Sequence, residues 1–451
     1  MSMQKIRLWI STLDKKQLFT LFVAIAVLVA SLLSFVVWIF FLKEPVGNPM
    51  RIAVIAPFAG PDKEQGDAMR QGVSLLVQQI NKQGGIHGRM LATEMLDDGS
   101  SPTEAMQAAQ QADLNPDVVG VLGHWDTAAA SRTIPFYGDH GLPAILMTST
   151  PENALQENPW VFRPLIDETA ETRFLANYLR NVVGEKTVFV LHEATARGEH
   201  LAQSFDEVYQ RFGTKVLYKW PITPDASRID ADLKAVVAEV EAKKLFGTFL
   251  VLGEVESTSR MIAALRAAGI QQRIVGLRQL ASKGFLTQFN ALWKGKISPA
   301  AALNGTLMTT PMLFDTSGDR AQKFQTSYTN HYKTAPDWVA AYAYESAKLI
   351  ASALFEAVGK NPETPLRQRL RDRLAARNSV ESAFAGLNGP LFFNAKGIAA
   401  RDSMVGQYDG ANLVAAMTQL SPIREEGVTN LLAEVTAGRA LYVNNRFMYK
   451  T

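Results

Sequence analysis

The chain of 451 residues contains no cysteine. This absence excludes disulfide frameworks, cysteine-rich zinc sites, thiol nucleophiles and a lipid anchor attached through cysteine. An excess of charge of one sign is also absent, because 46 Lys and Arg residues are interspersed with 43 Asp and Glu residues. The formal net charge of +3 gives no indication of a concentrated basic face, and we expect no nucleic-acid partner.

The usual sequence signatures of cofactor sites and enzymes are missing. No Gly-x-Gly-x-x-Gly motif or P-loop follows the first predicted strand, and no Gly-x-Ser-x-Gly motif is present. His192 and His200 are eight residues apart, which is not the spacing of a zinc-binding helix. The adjacent Asp97 and Asp98 are more typical of a turn and a helix cap than of paired catalytic carboxylates. We therefore expect no metal, no cofactor and no catalytic residue, and we interpret the protein as a non-enzyme.

One long apolar run stands out, residues 18–42, with 25 residues and no charge. As an α-helix the run would span about 37 Å, enough to cross a bilayer core of about 30 Å. A secretory signal is the alternative, but signal cores have about 7–15 apolar residues and precede a small-residue cleavage site. The following "FFLKEPVGNP" lacks such a site. Because Lys and Arg are concentrated before the run, we expect a cytoplasmic N-terminus (residues 1–17), an uncleaved inner-membrane anchor (18–42) and a periplasmic or extracellular remainder.

After the Pro- and Gly-containing linker at residues 44–49, strand-like apolar runs alternate with amphipathic helical patterns. Such alternation predicts parallel sheets that are covered by helices on both faces. Two series occur in succession, so the sequence predicts an α/β fold with two doubly wound, Rossmann-like lobes. After residue 313, three helical patterns follow without a strong strand between them. The predicted strands lie near residues 51–57, 91–96, 117–123 and 143–148 in the first series. The second series opens at residues 160–165 and continues near 187–192, 215–219, 248–253 and 273–277.

The stretch "AILMTSTPE", residues 144–152, ends an apolar strand in three consecutive hydroxyl residues and a proline. A serine or threonine nucleophile needs a base within reach, and no motif supplies one. Helix capping is a second interpretation, since a hydroxyl before Pro151 suits a helix start. A third is a ligand cradle, because open parallel sheets bind ligands beyond the carboxyl ends of their strands, where helix N-termini attract anions. Capping and cradling are compatible.

The order of several motifs resembles the leucine/isoleucine/valine-binding protein family of extracellular ligand-binding receptors. These motifs are "IAVIAPFAGPDKEQGDAMRQGVSLLVQQINKQGGIHGRML", "DDGSSP", "VVGVLGHWDTAAASRTIPFYGDHGLPAILMTSTPE", "FRPLIDETAE" and "MIAALRAAGI". The resemblance covers residues 50–418 and implies a type I periplasmic binding protein, with two lobes joined by three crossovers. The implied crossovers lie near residues 164–165, 307–309 and 390–392. Lobe 1 would then comprise residues 50–164 and 308–390, and lobe 2 residues 165–307 and 391–418, with a C-terminal extension at 419–451.

The resemblance also implies a binding site for the carboxylate of a ligand. In relatives, the loop after the third strand offers a hydroxyl, and Thr127 occupies that position here. The loop after the fourth strand offers a carbonyl, N–H groups and a hydroxyl, which match Thr148, Ser149 and Thr150. The resemblance therefore favours the ligand-cradle interpretation of the hydroxyl cluster.

On the opposite wall the sequence departs from the family pattern. The acidic residue that pairs with a ligand ammonium in relatives is replaced by Arg278, while Arg197 and Glu254 stand where aromatic residues are frequent. Gln65 lies near another such position. A polar pocket is expected, suited to a ligand that is negative at both ends or neutral and polar, although Glu254 could accept an ammonium. The alternative is that Arg278 and Glu254 pair with each other and leave the cleft weak or unused.

The resemblance implies that the protein is a membrane-anchored solute-binding domain that closes on a small amino-acid-like or carboxylate ligand. Its expected partner is an ABC-type permease or a membrane receptor, fused or separate. Two alternatives remain: the N-terminal sensor domain of a longer receptor, or a non-catalytic homologue with a degenerate cleft. The chain's last residues, "LYVNNRFMYKT", form a strand-like run, and a free strand edge at a terminus is unusual. The run is either the beginning of a further domain or a tail packed on lobe 2.

Overall fold

The computed structural model describes residues 14–41, 47–148, 155, 158–214, 216–359, 363–399, 401–422, 431–443 and 446–451. Most of the predicted cytoplasmic segment, together with Leu42, Ser149 and Thr150, lies outside these residues. Helix α1 (Lys15–Phe41) covers residues 18–41 of the apolar run that was predicted to be a membrane anchor. Within the described residues it is the one helix that is long and apolar enough to cross a membrane, with a mean hydropathy of 2.3 over Lys15–Ser34.

A five-stranded parallel sheet forms the centre of lobe 1, in the order β2-β1-β3-β4-β5. Six of the seven residues of its first strand are buried, as expected for a strand with helices on both faces. The strands are β1 (Met50–Ala56), β2 (Leu91–Asp97), β3 (Val118–Gly123), β4 (Ala144–Ile145) and β5 (Val161–Phe162). The helices between them are α2 (Lys63–Lys82), α3 (Pro102–Leu114) and α4 (Thr127–Asp139).

A seven-stranded mixed sheet forms the centre of lobe 2, in the order β14-β13-β10-β9-β8-β6-β7. Its strands are β6 (Val188–Glu193), β7 (Tyr218–Ile222), β8 (Thr248–Leu252), β9 (Ile274–Gly276), β10 (Leu307–Thr310), β13 (Met404–Asp409) and β14 (Asn412–Ala415). Its helices are α5 (Glu168–Tyr178), α6 (Ala196–Arg211), α7 (Ile229–Ala242), α8 (Val255–Ala267), α9 (Lys283–Leu292) and α10 (Pro299–Leu303). A π-helical turn (Leu179–Val183) extends α5, and a 3₁₀ turn (Arg278–Ala281) follows β9.

The predicted helical stretch after residue 313 returns to lobe 1. It forms α11 (Asp319–Tyr332), α12 (Trp338–Ala357) and α13 (Leu366–Ala375), followed by the hairpin β11 (Phe384–Gly386) and β12 (Gly389–Leu391). Helix α12 is almost entirely buried and packs on α2. The close approach requires Gly72, because a Cβ atom there would lie 2.2 Å from the carbonyl oxygen of Ala340.

The middle crossover, expected near residues 307–309, coincides with β10. All of β10 belongs to the sheet of lobe 2, where it pairs with β9 in parallel and with β13 in antiparallel orientation. The chain therefore leaves lobe 2 after Thr310.

The C-terminal extension forms a small antiparallel sheet in the order β15-β17-β16. Its elements are β15 (Leu420–Pro422), α14 (Leu431–Thr436), β16 (Ala440–Val443) and β17 (Arg446–Lys450). The side chains of Leu420 and Met448 are buried in the same apolar cluster as Tyr178 of α5, and the hydroxyl of Tyr178 donates to the carbonyl of Thr418 over 2.8 Å. Strand β17 lies in the centre of this sheet, and both neighbouring strands pair with it.

Candidate functional site

A pocket lies between the lobes, and about 300 Å³ of empty space, including space open to solvent, surrounds its lining residues. It brings together all five of the predicted site residues that the structure describes: Thr127, Thr148, Arg197, Glu254 and Arg278. Five further residues that the sequence did not point to complete the lining: Trp125, Met147, Glu168, Gln279 and Trp338. Gln65 does not line this pocket. It is buried and lies against Gly284 of α9.

The wall that lobe 1 contributes is built around the start of α4. Asp126 caps this helix by accepting a hydrogen bond from the N–H of Ala129 over 2.8 Å. Thr127 is the first helical residue, and its hydroxyl lies 3.0 Å from the hydroxyl of Thr148, which follows β4. The first N–H groups of a helix have no partner within the helix and carry the positive end of its dipole. Together with the two hydroxyls, they can hold a carboxylate.

Lobe 1 also gives the pocket an apolar surface. Trp125 and Trp338 lie with ring centroids 5.7 Å apart and are almost completely buried, and Met147 lines the pocket beside them. The expectation of a polar pocket is therefore incomplete. Trp125 occurs in the "GHWDT" motif, where its indole could have been suspected, but Trp338 begins α12 far along the chain and reaches the site only through the fold.

In one half of the wall that lobe 2 contributes, Arg197 forms ion pairs with Glu168 and Glu254. Its guanidinium donates from Nε and Nη2 to both oxygens of Glu168, over 2.6 and 2.5 Å. Its Nη1 atom lies 2.7 Å from Oε1 of Glu254. Gln279 donates to Glu168 over 2.6 Å. Burial by itself would raise the pKa of Glu168, but Arg197, with help from Arg278 and Gln279, lowers that pKa to about 2. Glu168 is therefore ionised, and both of its carboxylate oxygens accept hydrogen bonds.

Arg278 forms the other half and pairs with Glu171 of α5, the Nη1 to Oε2 distance being 2.9 Å. Glu171 also accepts from the hydroxyl of Thr309 and from the N–H of Arg278, and the Arg278 Nη1 atom donates to the carbonyl of Ile166. Burial raises the pKa of Glu171, although the Arg278 charge opposes this. The alternative that Arg278 pairs with Glu254 is wrong, because α5 supplies a separate carboxylate to each arginine.

Arg278 has one donor left over. Its side chain is 4% exposed and lines the pocket, and its Nη2 atom has no hydrogen-bond partner among the described residues. A buried donor without a partner costs on the order of 1–3 kcal/mol, and more when it is charged.

Glu254 is the most exposed carboxylate of the pocket, with 40% of its side chain accessible. Its backbone N–H donates to Oε1 of Glu193 over 3.0 Å. Burial in the cleft and the nearby Glu168, Glu193 and Asp62 raise the pKa of Glu254 to about 8, against the opposing effect of Arg197. This part of the wall therefore has a negative potential that a cationic group would relieve.

A doubly wound fold of two lobes with a polar pocket in the cleft defines the class of the periplasmic binding proteins. The chain belongs to this family, since the family's sequence model matches residues 49–412.

Within the described residues, no group of three or more His, Cys, Asp or Glu side chains could hold a metal ion.

The similar proteins include amino-acid binders and a binder of an aromatic acid. The chain is 25% identical over 231 residues to the leucine-, isoleucine-, valine-, threonine- and alanine-binding protein of Pseudomonas aeruginosa, covering 51% of this chain and 60% of that protein. It therefore spans about three fifths of the length of this curated relative.

Two solved structures share the fold. The branched-chain amino acid transporter substrate-binding protein LivJ of Streptococcus pneumoniae, in complex with isoleucine, has a TM-score of 0.71 and 20% identity, covering 82% of this chain and 98% of that chain. A solute-binding protein of an ABC transporter from R. palustris, in complex with benzoate, has a TM-score of 0.69 and 19% identity, covering 82% of this chain and 95% of that chain. The two recognise different ligands, so the shared fold leaves open what the pocket of this chain binds.

Proposed function

We propose that the two lobes capture a small solute that carries a carboxylate and close on it. The observation that carries this proposal is the convergence of donors on one pocket. The hydroxyls of Thr127 and Thr148 and the start of α4 come from one side, and Arg197 and Arg278 line the pocket from the other. Because the donors belong to different lobes, a ligand that satisfies both sets stabilises the closed arrangement.

The proposal includes a membrane anchor and a membrane partner. Helix α1 would hold the domain at the outer face of the cytoplasmic membrane, and its length and hydropathy support this. The closed domain would then be recognised by an ABC-type permease, as the similarity to substrate-binding proteins of transporters suggests, or by a receptor in the same membrane. No bond is made or broken in this function. Its output is the shape of the closed domain.

Isothermal titration calorimetry of the full chain in detergent, together with tryptophan fluorescence, tests the proposal. The ligands are α-amino acids, monocarboxylates and dicarboxylates, and simple amines without a carboxylate serve as the negative control. A carboxylate-bearing compound is expected to bind and to quench or shift the fluorescence of the pocket tryptophans, Trp125 and Trp338. Thr127→Val should weaken this binding, while Thr103→Val, on the exposed surface of α3, should not. The proposal fails if no carboxylate binds.

A further inference from the structure

A second cavity, of about 520 Å³, lies where the chain passes from lobe 2 to lobe 1. We call it the hinge cavity, and it is lined by residues from 281–286, 312–315, 322–338 and 408–413. Both lobes and the crossover therefore contribute to its wall. Within the described residues, Trp338 alone lines both the hinge cavity and the cleft pocket. Volumes of about 300–1,000 Å³ are typical of small-molecule sites, so the hinge cavity is large enough for a ligand of its own.

Most of the surface inside the hinge cavity is apolar. Phe314, Trp338 and Tyr408 line it with aromatic rings. The Tyr408 hydroxyl donates to the carbonyl of Leu280 over 2.6 Å, and the Trp338 indole N–H donates to the carbonyl of Arg278 over 3.2 Å. Because the polar atoms of both rings already have partners, these residues offer apolar surface to a ligand. An apolar body is stabilised there by leaving water.

The charges that line the hinge cavity favour a neutral ligand. Among the described residues these charges belong to Lys283, Asp337 and Asp315. Asp337 accepts the N–H groups of Lys283 and Ala340 over 2.9 and 3.0 Å, and the charge of Lys283 opposes the rise that burial causes in the pKa of Asp337. Asp315 is exposed and accepts the N–H of Ala415 over 2.7 Å. A ligand anion would add a third negative charge beside two carboxylates, and a ligand cation would lie near Lys283. Both arrangements are costly for a charge that leaves water.

Lys283 can still donate a hydrogen bond. An ammonium group has three N–H donors, and within the described residues the Nζ atom donates to one acceptor, the hydroxyl of Thr334, over 3.0 Å. Thr334 also lines the hinge cavity, so this hydrogen bond lies in the cavity wall. An uncharged acceptor on a ligand, such as a carbonyl oxygen, can therefore accept a further N–H of Lys283 without adding charge.

We propose that the hinge cavity is a second binding site, for a neutral molecule that has an apolar body of about two fused rings and one hydrogen-bond acceptor. The acceptor binds Lys283, and the apolar body packs against Phe314, Trp338 and Tyr408. This site goes beyond the proposed function, whose ligand carries a carboxylate and binds in the cleft. Since both lobes contribute to the wall, the site depends on their relative position.

Titration calorimetry of the full chain in detergent with 1-naphthaleneacetamide tests the proposal, and a titration into detergent alone is subtracted. Ala411→Trp fills the cavity from the exposed β13–β14 turn and should abolish binding of the amide. Ala375→Trp, the same change at the exposed end of α13, is the matched control and should leave binding unchanged. Thr127→Val, in the cleft, should also leave it unchanged. Binding that survives Ala411→Trp and is lost in Thr127→Val would place the amide in the cleft and overturn the proposal, as would the absence of binding.

Two charged analogues with the same ring system test the preference for a neutral ligand. These are 1-naphthaleneacetate and 2-(1-naphthyl)ethylamine, compared at neutral pH. In the part of the binding that Ala411→Trp removes, each should bind at least about a hundredfold more weakly than the amide, because burying an unpaired charge is costly. Tighter binding of either charged compound in the hinge cavity overturns the proposal.

Two variants assign the polar contact. Lys283→Met removes the donor and leaves the charge of Asp337 unbalanced, so the affinity for the amide should fall by about tenfold, the value of one hydrogen bond to a charged group, and the amine should gain relative to the acetate. Asp337→Asn keeps a side chain that can cap α12 and leaves Lys283 unbalanced, so the acetate should gain relative to the amine. Unchanged preferences in both variants would contradict the assigned contact.

Discussion

Arg278 and Glu171 form a buried ion pair behind the pocket, with 4% and 0% of their side chains exposed. Glu171 belongs to α5, which follows the first crossover, and Arg278 begins the turn after β9. Thr309 of β10 donates to the same carboxylate. The pair therefore joins three segments at the place where the chain leaves lobe 2, and it fixes the position of the guanidinium that lines the pocket.

Replacing one partner of this pair should destabilise the protein strongly. Glu171→Leu leaves the Arg278 charge buried without a partner and should lower the free energy of unfolding by about 3–5 kcal/mol. The double variant Glu171→Leu with Arg278→Met should recover a large part of that loss, since it removes both charges. Urea unfolding followed by circular dichroism measures both variants. Additive losses in the double variant would show that the two residues are not coupled.

The amino-acid affinity should increase with pH. The pKa of Glu254 is raised to about 8, so this group is mostly protonated at pH 6.5 and mostly ionised at pH 8.5. Because an ammonium binds the ionised form, affinity should rise by up to about tenfold per pH unit below the pKa. Titration calorimetry at several pH values measures the slope. In Glu254→Gln the slope should disappear, and a slope that persists in the variant would assign it to another group.

The same raised pKa predicts an opposite trend for the stability of the ligand-free domain. The folded protein holds the Glu254 proton more tightly than the unfolded chain does, so this group's contribution to stability is lost as pH rises from about 4.5 through 8. Glu254→Gln imitates the protonated form. We expect it to be more heat-stable than the unchanged protein at pH 8 and similar to it at pH 5, as measured by thermal unfolding. A lower melting temperature at pH 8 would contradict the prediction.

The hydroxyl pair of Thr127 and Thr148 should contribute directly to ligand affinity. Each hydroxyl can donate to a carboxylate, and a hydrogen bond to a charged group is worth about 1.5–3 kcal/mol. Thr148→Val is therefore expected to weaken carboxylate binding by about 10- to 150-fold with little change in folding. Titration calorimetry on the variant gives the loss. Unchanged affinity would place the ligand carboxylate elsewhere in the cleft.

The C-terminal sheet should be part of the cooperative core of lobe 2. Met448 is 1% exposed in the cluster that contains Tyr178, whereas Met417 is 100% exposed. Met448→Ala should cost about 2–5 kcal/mol of unfolding free energy, and Met417→Ala, the same change at the surface, should cost almost nothing. Chemical denaturation compares the two. Equal effects would mean that the sheet unfolds separately from lobe 2.

Residue patterns along the chain were enough to predict the architecture and the lobe-1 side of the site. Apolar runs such as β1 and β3 alternate with amphipathic helices, and this periodicity depends only on which residues must face a core. The position of the hydroxyls of Thr127 and Thr148 at strand ends was likewise predictable, because the carboxyl ends of neighbouring parallel strands meet at one edge of a sheet. The length and hydropathy of α1 could also be read directly from the residues.

The electrostatics of the pocket depend on contacts that could not be predicted from the sequence. Arg197, Glu254 and Arg278 could be placed near the cleft, but their partners Glu168 and Glu171 come from the start of α5, which no local spacing connects to them. Trp338 reaches the pocket through the return of the chain to lobe 1, and β17 becomes a central strand only by pairing with both of its neighbours. These contacts join residues distant in sequence. An ion pair depends on distances of a few ångströms, which periodicity does not specify.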